Sequence, residues 1–227
     1  TKTAKHSAAP GEVQCRSDDC PRRCNPAPAK ALPWLRGLMC EIFSGSGHLM
    51  KAYSKHGMRA EGWDIAYGPN ADIMNSDVQG YFKNAIISGK YKVIHLGFPC
   101  ITWSRARKDD GGPPPLRDDG EHLYGFMEGN PRDLRAVKEG NEMLIIVKDL
   151  MELAIQNGVL VTFENPASSR VWLTNEINYL TGKYPHEWNT TDYCQYQQPW
   201  KKPTTFLTFN GPKMKLKKCH GNLGVCS

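Results

Sequence analysis

The chain has 227 residues, 40% of them hydrophobic, a formal charge of +6 and a pI near 8.8. It is long enough to bury one sizeable core. No apolar run approaches the roughly 20 residues that a membrane helix needs, and the N-terminus lacks the basic-then-apolar pattern of a signal peptide, so we expect no membrane association. The mild basic excess favours a polyanionic partner such as nucleic acid, although charge runs are usually solvated surface.

The eight cysteines are unevenly spaced. Cys40 and Cys100 lie inside apolar, strand-like runs, which is typical of free thiols in an intracellular, reducing compartment, the nucleus or the cytoplasm. Five others lie near the two ends of the chain: Cys15, Cys20, Cys24, Cys219 and Cys226. Neither end has the tight CxxC spacing of common structural zinc sites. We therefore assign no metal, and zinc binding by these five cysteines stays an open alternative.

The predicted elements follow a Pro- and Cys-containing arm over residues 1–33, which we expect to be extended or disordered. Strands are predicted over 38–43, 59–64, 91–97, 159–163, 187–196 and 204–209, and helices over 48–56, 76–88, 133–156 and 169–180. The alternation predicts an α/β domain over residues 34–210, with a mostly parallel sheet covered by helices on both faces. Residues 211–227 are expected to form a basic tail. Because the sequence starts with Thr1 rather than Met, we expect a processed chain or a domain of a longer protein.

Four motifs lie at the predicted carboxyl ends of strands, where ligand sites form in open α/β sheets. FSGSG (43–47) supplies two glycines for a tight turn in front of a helix N-terminus. GWD (62–64) ends the second strand with an aromatic ring and a carboxylate. GFPC (97–100) leads one cysteine into a polar loop, and FENP (163–166) places a carboxylate after a buried strand. We therefore expect one ligand site at this edge of the sheet.

Cys100 stands where an α/β enzyme presents a nucleophile, at a strand end and in a loop that carries Ser104, Arg105 and Arg107. The two arginines would stabilise its thiolate if they fold towards it. The alternative is a buried structural cysteine, since free cysteine packs as a small hydrophobic residue. A long polar stretch follows over residues 108–130, and a loop of this length inside a compact domain is normally functional or mobile.

FSGSG, GFPC, FENP and the later segment DYCQYQQPWKKPTTFLTF (192–209) resemble, in order and spacing, the motifs of the cytosine carbon-5 methyltransferases. The similarity extends over residues 38–209. It implies a Rossmann-like fold that uses S-adenosylmethionine, with a sheet of about seven strands of which the last is antiparallel. It also implies methyl transfer to carbon 5 of cytosine in nucleic acid, with DNA the family default and RNA left open.

The resemblance further implies roles for single residues. Cys100 would attack carbon 6 of cytosine, Glu164 would hydrogen-bond the activated base, and Lys202 would lie near the ring or its phosphates. Within the cofactor site, Trp63 would stack on adenine, and Asp64, in preference to Glu61, would bind the ribose. The implied S-adenosylmethionine-binding residues are Phe43, Gly45, Gly47, Trp63, Asp64, Asp72 and Pro99. The implied substrate-binding residues are Ser104, Arg105, Arg107, Asn165 and Lys201.

The sequence departs from the family pattern in three places. Pro166 replaces a valine, Lys202 and Thr204 stand where the family has arginines, and no target-recognition domain follows Phe209. Further domains or a partner chain would then supply target recognition. These departures leave two alternatives open: a non-catalytic methyltransferase-fold module in a larger protein, and an RNA methyltransferase with a different target atom.

Overall fold

The computed structural model describes residues 37–107 and 111–221. The predicted arm over residues 1–33 lies outside them. Within the described ranges one sheet has the strand order β2-β1-β3-β4-β6-β5. Its strands are β1 (Leu38–Ile42), β2 (Ala60–Trp63), β3 (Tyr91–Gly97), β4 (Leu160–Pro166), β5 (His186–Asp192) and β6 (Pro203–Phe209). The last strand, β6, pairs antiparallel with both β4 and β5, while β1 to β4 are parallel. The sheet is therefore mixed but mostly parallel, with the last strand antiparallel as predicted.

Four α-helices connect the strands: α1 (His48–Lys55), α2 (Ser76–Ile87), α3 (Pro131–Gln156) and α4 (Asn175–Lys183). Side-chain caps set where two of them begin. Asn75 accepts a hydrogen bond from the Asp77 amide at the start of α2. Asn130 accepts from two amides at the start of α3, where Pro131 occupies the first helical position. These caps explain why α3 begins two residues before its predicted start.

The expectation of seven strands is wrong for the described residues, which form six. Between β2 and α2 the chain forms two short 3₁₀ turns, Ile65–Tyr67 and Pro69–Ala71. The helix predicted over 169–180 is also divided. A 3₁₀ turn over Arg170–Leu173 is separated from α4 by Thr174, whose backbone is extended.

The two faces of the sheet are covered unequally. The main core lies between one face and helices α2, α3 and α4, and its buried residues include Cys40, Ile94, Phe163, Phe82 and Leu144. On the opposite face α1 packs through Met50 beside Gly62 of β2. None of the helices in the described part of the chain is long and apolar enough to cross a membrane.

Candidate active site

The strand order reverses between β1 and β3, because β2 lies on one side of β1 and β3 on the other. Such a switch point opens a crevice at the carboxyl ends of the strands. A cleft of about 620 Å³ lies there. Five of the seven predicted cofactor residues line it: Phe43, Trp63, Asp64, Asp72 and Pro99. Residues of three of the four sequence motifs thus line one cavity, whereas no residue of FENP (163–166) is among its described lining residues.

The turn after β1 explains the FSGSG motif. Phe43, Gly45 and Gly47 all have positive φ angles, of 61°, 51° and 66°. The Gly45 amide donates to Asp64 Oδ2 at 2.8 Å, and the hydroxyl of Tyr67 donates to the Gly45 carbonyl at 3.0 Å. The two predicted glycines therefore shape the turn, and Asp64 is held against it.

Trp63 and Glu61 are both buried, although Trp63 also borders the cleft. The Trp63 ring is 3% exposed and packs against Tyr81 and Phe82, with centroids 4.9 and 5.1 Å away. Its indole N–H donates to Glu61 at 3.1 Å, and Glu61 also pairs with Lys90 at 3.1 Å. Glu61 is thus engaged in the interior, which leaves Asp64, the residue directly after β2, as the carboxylate that faces the cleft.

The cleft is acidic. Asp64 and Asp72 line it, together with Glu139 and Glu142 from α3, and no Lys or Arg is among its described lining residues. The two glutamates and Met143 have the i, i+3, i+4 spacing of one helix face. Sequence reasoning did not find Glu139 and Glu142. Their spacing on α3 was the signal that could have placed them on one face of the helix. Such a charge distribution disfavours phosphate groups and favours a cationic ligand.

The loop after β3 presents Cys100. The amides of Trp103 and Ser104 donate to the Cys100 carbonyl at 3.1 and 2.8 Å, which closes a tight turn around this half-buried cysteine. Beneath the loop, the fully buried Asn165 donates its amide N–H to the Phe98 carbonyl at 2.7 Å. The structure thus places Asn165 under the cysteine loop, where it supports the backbone. Its Oδ1 atom has no partner among the described residues.

Arg117 is a residue that sequence reasoning missed. It is fully buried, and its guanidinium lies 3.5 Å from the centre of the Trp103 ring. It donates to the Thr102 carbonyl at 3.1 Å, to Asn141 Oδ1 at 2.7 Å and to the Val137 carbonyl at 3.2 Å. Burial lowers its pKa to about 10. Arg117 therefore joins the segment just after Cys100 to helix α3.

Arg105 and Arg107 are paired with carboxylates instead of folding towards the thiol. Arg105 binds Asp119 at 2.5 Å and the Ser168 carbonyl at 2.8 Å, and Arg107 binds Asp133 at 3.1 Å. Ser104 accepts a hydrogen bond from the Ala106 amide. The expectation that these arginines stabilise the thiolate is not supported, because both brace the loop in this structure.

Glu164 lies opposite Gly97 at the end of β4. Burial raises the pKa of its carboxyl group, while Lys202 and a hydrogen bond from Tyr193 at 3.4 Å act in the opposite direction. The Lys202 ammonium lies 5.2 Å from the centre of the Tyr193 ring. Lys201, beside it, is exposed. The structure thus brings Glu164 and Lys202 together with Tyr193, which the sequence did not single out.

The described residues contain no group of three or more His, Cys, Asp or Glu side chains arranged to hold a metal ion. Of the cysteines at the two ends of the chain, only Cys219 lies inside the described ranges. The other four cysteines of the zinc alternative lie outside them.

The sequence matches no protein-family profile and no curated protein. Among solved structures it is similar to the Dnmt2 methyltransferase of S. pombe, with a TM-score of 0.45 and 12% sequence identity. The match covers 80% of this chain and 53% of that structure. The chain thus spans about half the length of that protein. The α/β architecture described above rests on its own strand order and cleft.

Proposed function

We propose that this protein is an S-adenosylmethionine-dependent methyltransferase that acts on carbon 5 of cytosine in nucleic acid through a covalent Cys100 adduct. One observation carries the proposal. Gly97 and Pro99 line the acidic cleft and belong to the same short segment as Cys100, and Gly97 lies opposite Glu164. A cofactor in the cleft and a base near the thiol would therefore meet at this segment.

The cleft suits S-adenosylmethionine in its charge. Dinucleotides and nucleoside triphosphates carry negatively charged phosphates. The described cleft lining has four carboxylates and no basic residue, so it would repel them. S-adenosylmethionine has no phosphate and carries positive charge at its sulfonium and amino groups. Asp64 and Asp72 would hold its polar groups, and Phe43 and Pro99 its apolar parts. When bound, it supplies an electrophilic methyl group.

The residues of the chain account for the rest of the reaction. Cytosine carbon 5 is a poor nucleophile until a thiolate adds to carbon 6, so Cys100 Sγ forms a bond to carbon 6 and the electron pair moves to carbon 5. A protonated Glu164 donates a hydrogen bond to the ring nitrogen and stabilises the adduct. After methylation the carbon 5 proton leaves to solvent, the bond between Sγ and carbon 6 breaks, and the thiolate is restored.

The substrate class follows from this chemistry. A base inside a duplex cannot reach a thiol at a sheet edge, so the target must be unpaired or flipped out. DNA is the first substrate to test and RNA the second. Recognition of a target sequence is assigned to further domains or to a partner chain.

Covalent trapping tests the proposal. The protein is incubated with S-adenosylmethionine and with DNA or RNA oligonucleotides that contain 5-fluorocytosine, which blocks loss of the carbon 5 substituent. We expect a denaturation-resistant adduct that maps by mass spectrometry to Cys100. The adduct should vanish in Cys100→Ala and persist in Cys194→Ala, a half-buried cysteine that serves as the matched control.

Three results would contradict the proposal in different ways. Methyl transfer that survives Cys100→Ala would indicate another target atom, such as a base amine or a ribose. Cofactor binding without any transfer or adduct would indicate a non-catalytic module. Absence of cofactor binding by calorimetry would remove the assignment of the cleft.

A further inference from the structure

Residues 211–219, predicted as a tail, are docked along the edge strand β5. The Thr191 hydroxyl donates to the Lys217 carbonyl at 2.7 Å, and the Cys219 amide donates to Asp192 Oδ2 at 2.8 Å. Another backbone bond joins the Asp192 amide to the Lys217 carbonyl at 3.3 Å. The segment therefore has a defined path, and so do the lysines that it carries.

Exposure alternates along this segment. Met214 and Leu216 are partly buried, whereas Lys213, Lys215 and Lys217 are exposed. In an extended chain, alternate side chains point to one side and recur about every 6.6 Å. We call Lys213, Lys215 and Lys217 the lysine ridge. None of their ammonium groups forms an ion pair with a carboxylate in the described ranges, so the ridge presents a row of uncompensated positive charge.

The ridge ends at the candidate active site. Asp192, which anchors the ridge near Lys217, is the last residue of β5. It directly precedes Tyr193, the hydrogen-bond partner of Glu164. Two exposed aromatic residues flank this end. The hydroxyl of Tyr196 accepts from the Lys217 amide at 3.0 Å, and Trp200, which is 55% exposed, precedes Lys201.

We propose that the lysine ridge binds the phosphate backbone of a single-stranded nucleic acid and leads it to the site edge, where Tyr196 and Trp200 stack on its bases. Lysines in a row bind phosphates without reading sequence. Exposed aromatic rings beside a basic track are typical of single-strand binding, because unpaired bases offer their faces for stacking. The role of this path in catalysis rests on the proposed function, whereas the binding itself does not.

Salt dependence of binding tests the ridge. The probe is a fluorescent oligothymidine of about 20 nucleotides, and its affinity is measured by anisotropy at several salt concentrations. Each phosphate contact to a single strand contributes about 0.7 to the slope of log K against log salt, so Lys213→Gln, Lys215→Gln and Lys217→Gln together should flatten the slope by about 2. The control combines Lys55→Gln, Lys83→Gln and Lys92→Gln, three exposed lysines on other elements that remove the same charge. The control slope should match the wild type.

A second variant tests the aromatic part. Trp200→Ala should weaken oligothymidine binding by at least about fivefold and leave the salt slope unchanged, since stacking releases no counterions. Wild-type protein that binds oligothymidine with the expected salt slope but forms no trapped adduct would refute the catalytic proposal alone.

Several outcomes would overturn the inference. Equal slopes for the ridge and control variants would show that the lysines contact no phosphate. Tighter binding to duplex than to single-stranded DNA would refute the single-strand assignment. Binding to phosphatidylserine vesicles with none to the oligonucleotide would assign the ridge to an anionic membrane surface.

Discussion

Among single residues, Glu164 has the most informative environment. Its carboxyl group is partly buried at the end of β4, and burial raises its pKa against the opposing effects of Lys202 and Tyr193. A carboxyl group that keeps its proton can donate a hydrogen bond to a ring nitrogen, which a carboxylate cannot do. The opposing action of Lys202 means that this lysine sets how far the pKa is raised.

The pH dependence of methyl transfer should report this carboxyl group. The protonated form is the active one, so the contribution of Glu164 falls as pH rises through its raised pKa. Glu164→Gln cannot titrate, and the ratio of wild-type to variant rate should therefore decrease with pH. Lys202→Met removes the positive charge and should move this decrease to higher pH. A ratio that is independent of pH would show that Glu164 acts as a carboxylate or does not act.

At the scale of elements, the contact between helix α3 and the loop after Cys100 depends on a glycine. A Cβ atom added at Gly140 would lie 2.8 Å from the Thr102 hydroxyl and 3.4 Å from the Arg117 guanidinium. The glycine is costly to the helix by itself, since Gly is about 1 kcal/mol worse than Ala in a helix interior. The missing side chain lets α3 approach the loop closely enough for Arg117 to join the two.

Two glycine substitutions in helices should therefore have opposite effects. Gly140→Ala should destabilise the protein by about 1–3 kcal/mol, because the added methyl group overpacks the contact with the loop. Gly80→Ala in α2, where no atom lies within 4 Å of the added Cβ, should stabilise it by up to about 1 kcal/mol. Urea unfolding midpoints measure both. Stabilisation by Gly140→Ala would show that the loop moves away without cost.

The elements were largely predictable from the sequence, and the support of the site was not. Hydrophobic runs ending in Gly, Pro or Asn mark strand ends locally, which is why β3 over Tyr91–Gly97 was predicted to the residue. Arg105 binds Asp119 and Ser168, which are 14 and 63 residues away, and Arg117 binds Asn141, 24 residues away, with no pattern linking them. The burial of Trp63 depends likewise on α2, which packs against it. Contacts that exist only after folding leave no periodic signal.

At the scale of the whole molecule, the two sheet faces differ in how they are closed. Three helices cover one face, and the other has α1 and the docked segment 211–219, with a cavity of about 250 Å³ between them. His95, from the middle of β3, lines this cavity, and its Nδ1 atom lies 2.8 Å from the Thr162 hydroxyl. Burial lowers the pKa of His95 to about 4. The fold thus holds a neutral imidazole at the centre of its sheet.

This histidine should make the protein sensitive to mild acid. The folded state binds the His95 proton less tightly than the unfolded chain, whose histidine pKa is about 6.5. The stability that neutral His95 contributes is therefore complete above that value and is lost as pH falls towards about 4. Between about pH 7 and about pH 5 the loss should be roughly 2 kcal/mol.

His95→Gln keeps a polar group opposite Thr162 but cannot titrate, so urea unfolding of both proteins isolates the effect. All other titrating groups, including Glu164, are present in both proteins. Their pH dependence therefore cancels in the difference between the two free energies of unfolding. Parallel stability curves over this range would show that the imidazole titrates as freely in the fold as in the unfolded chain.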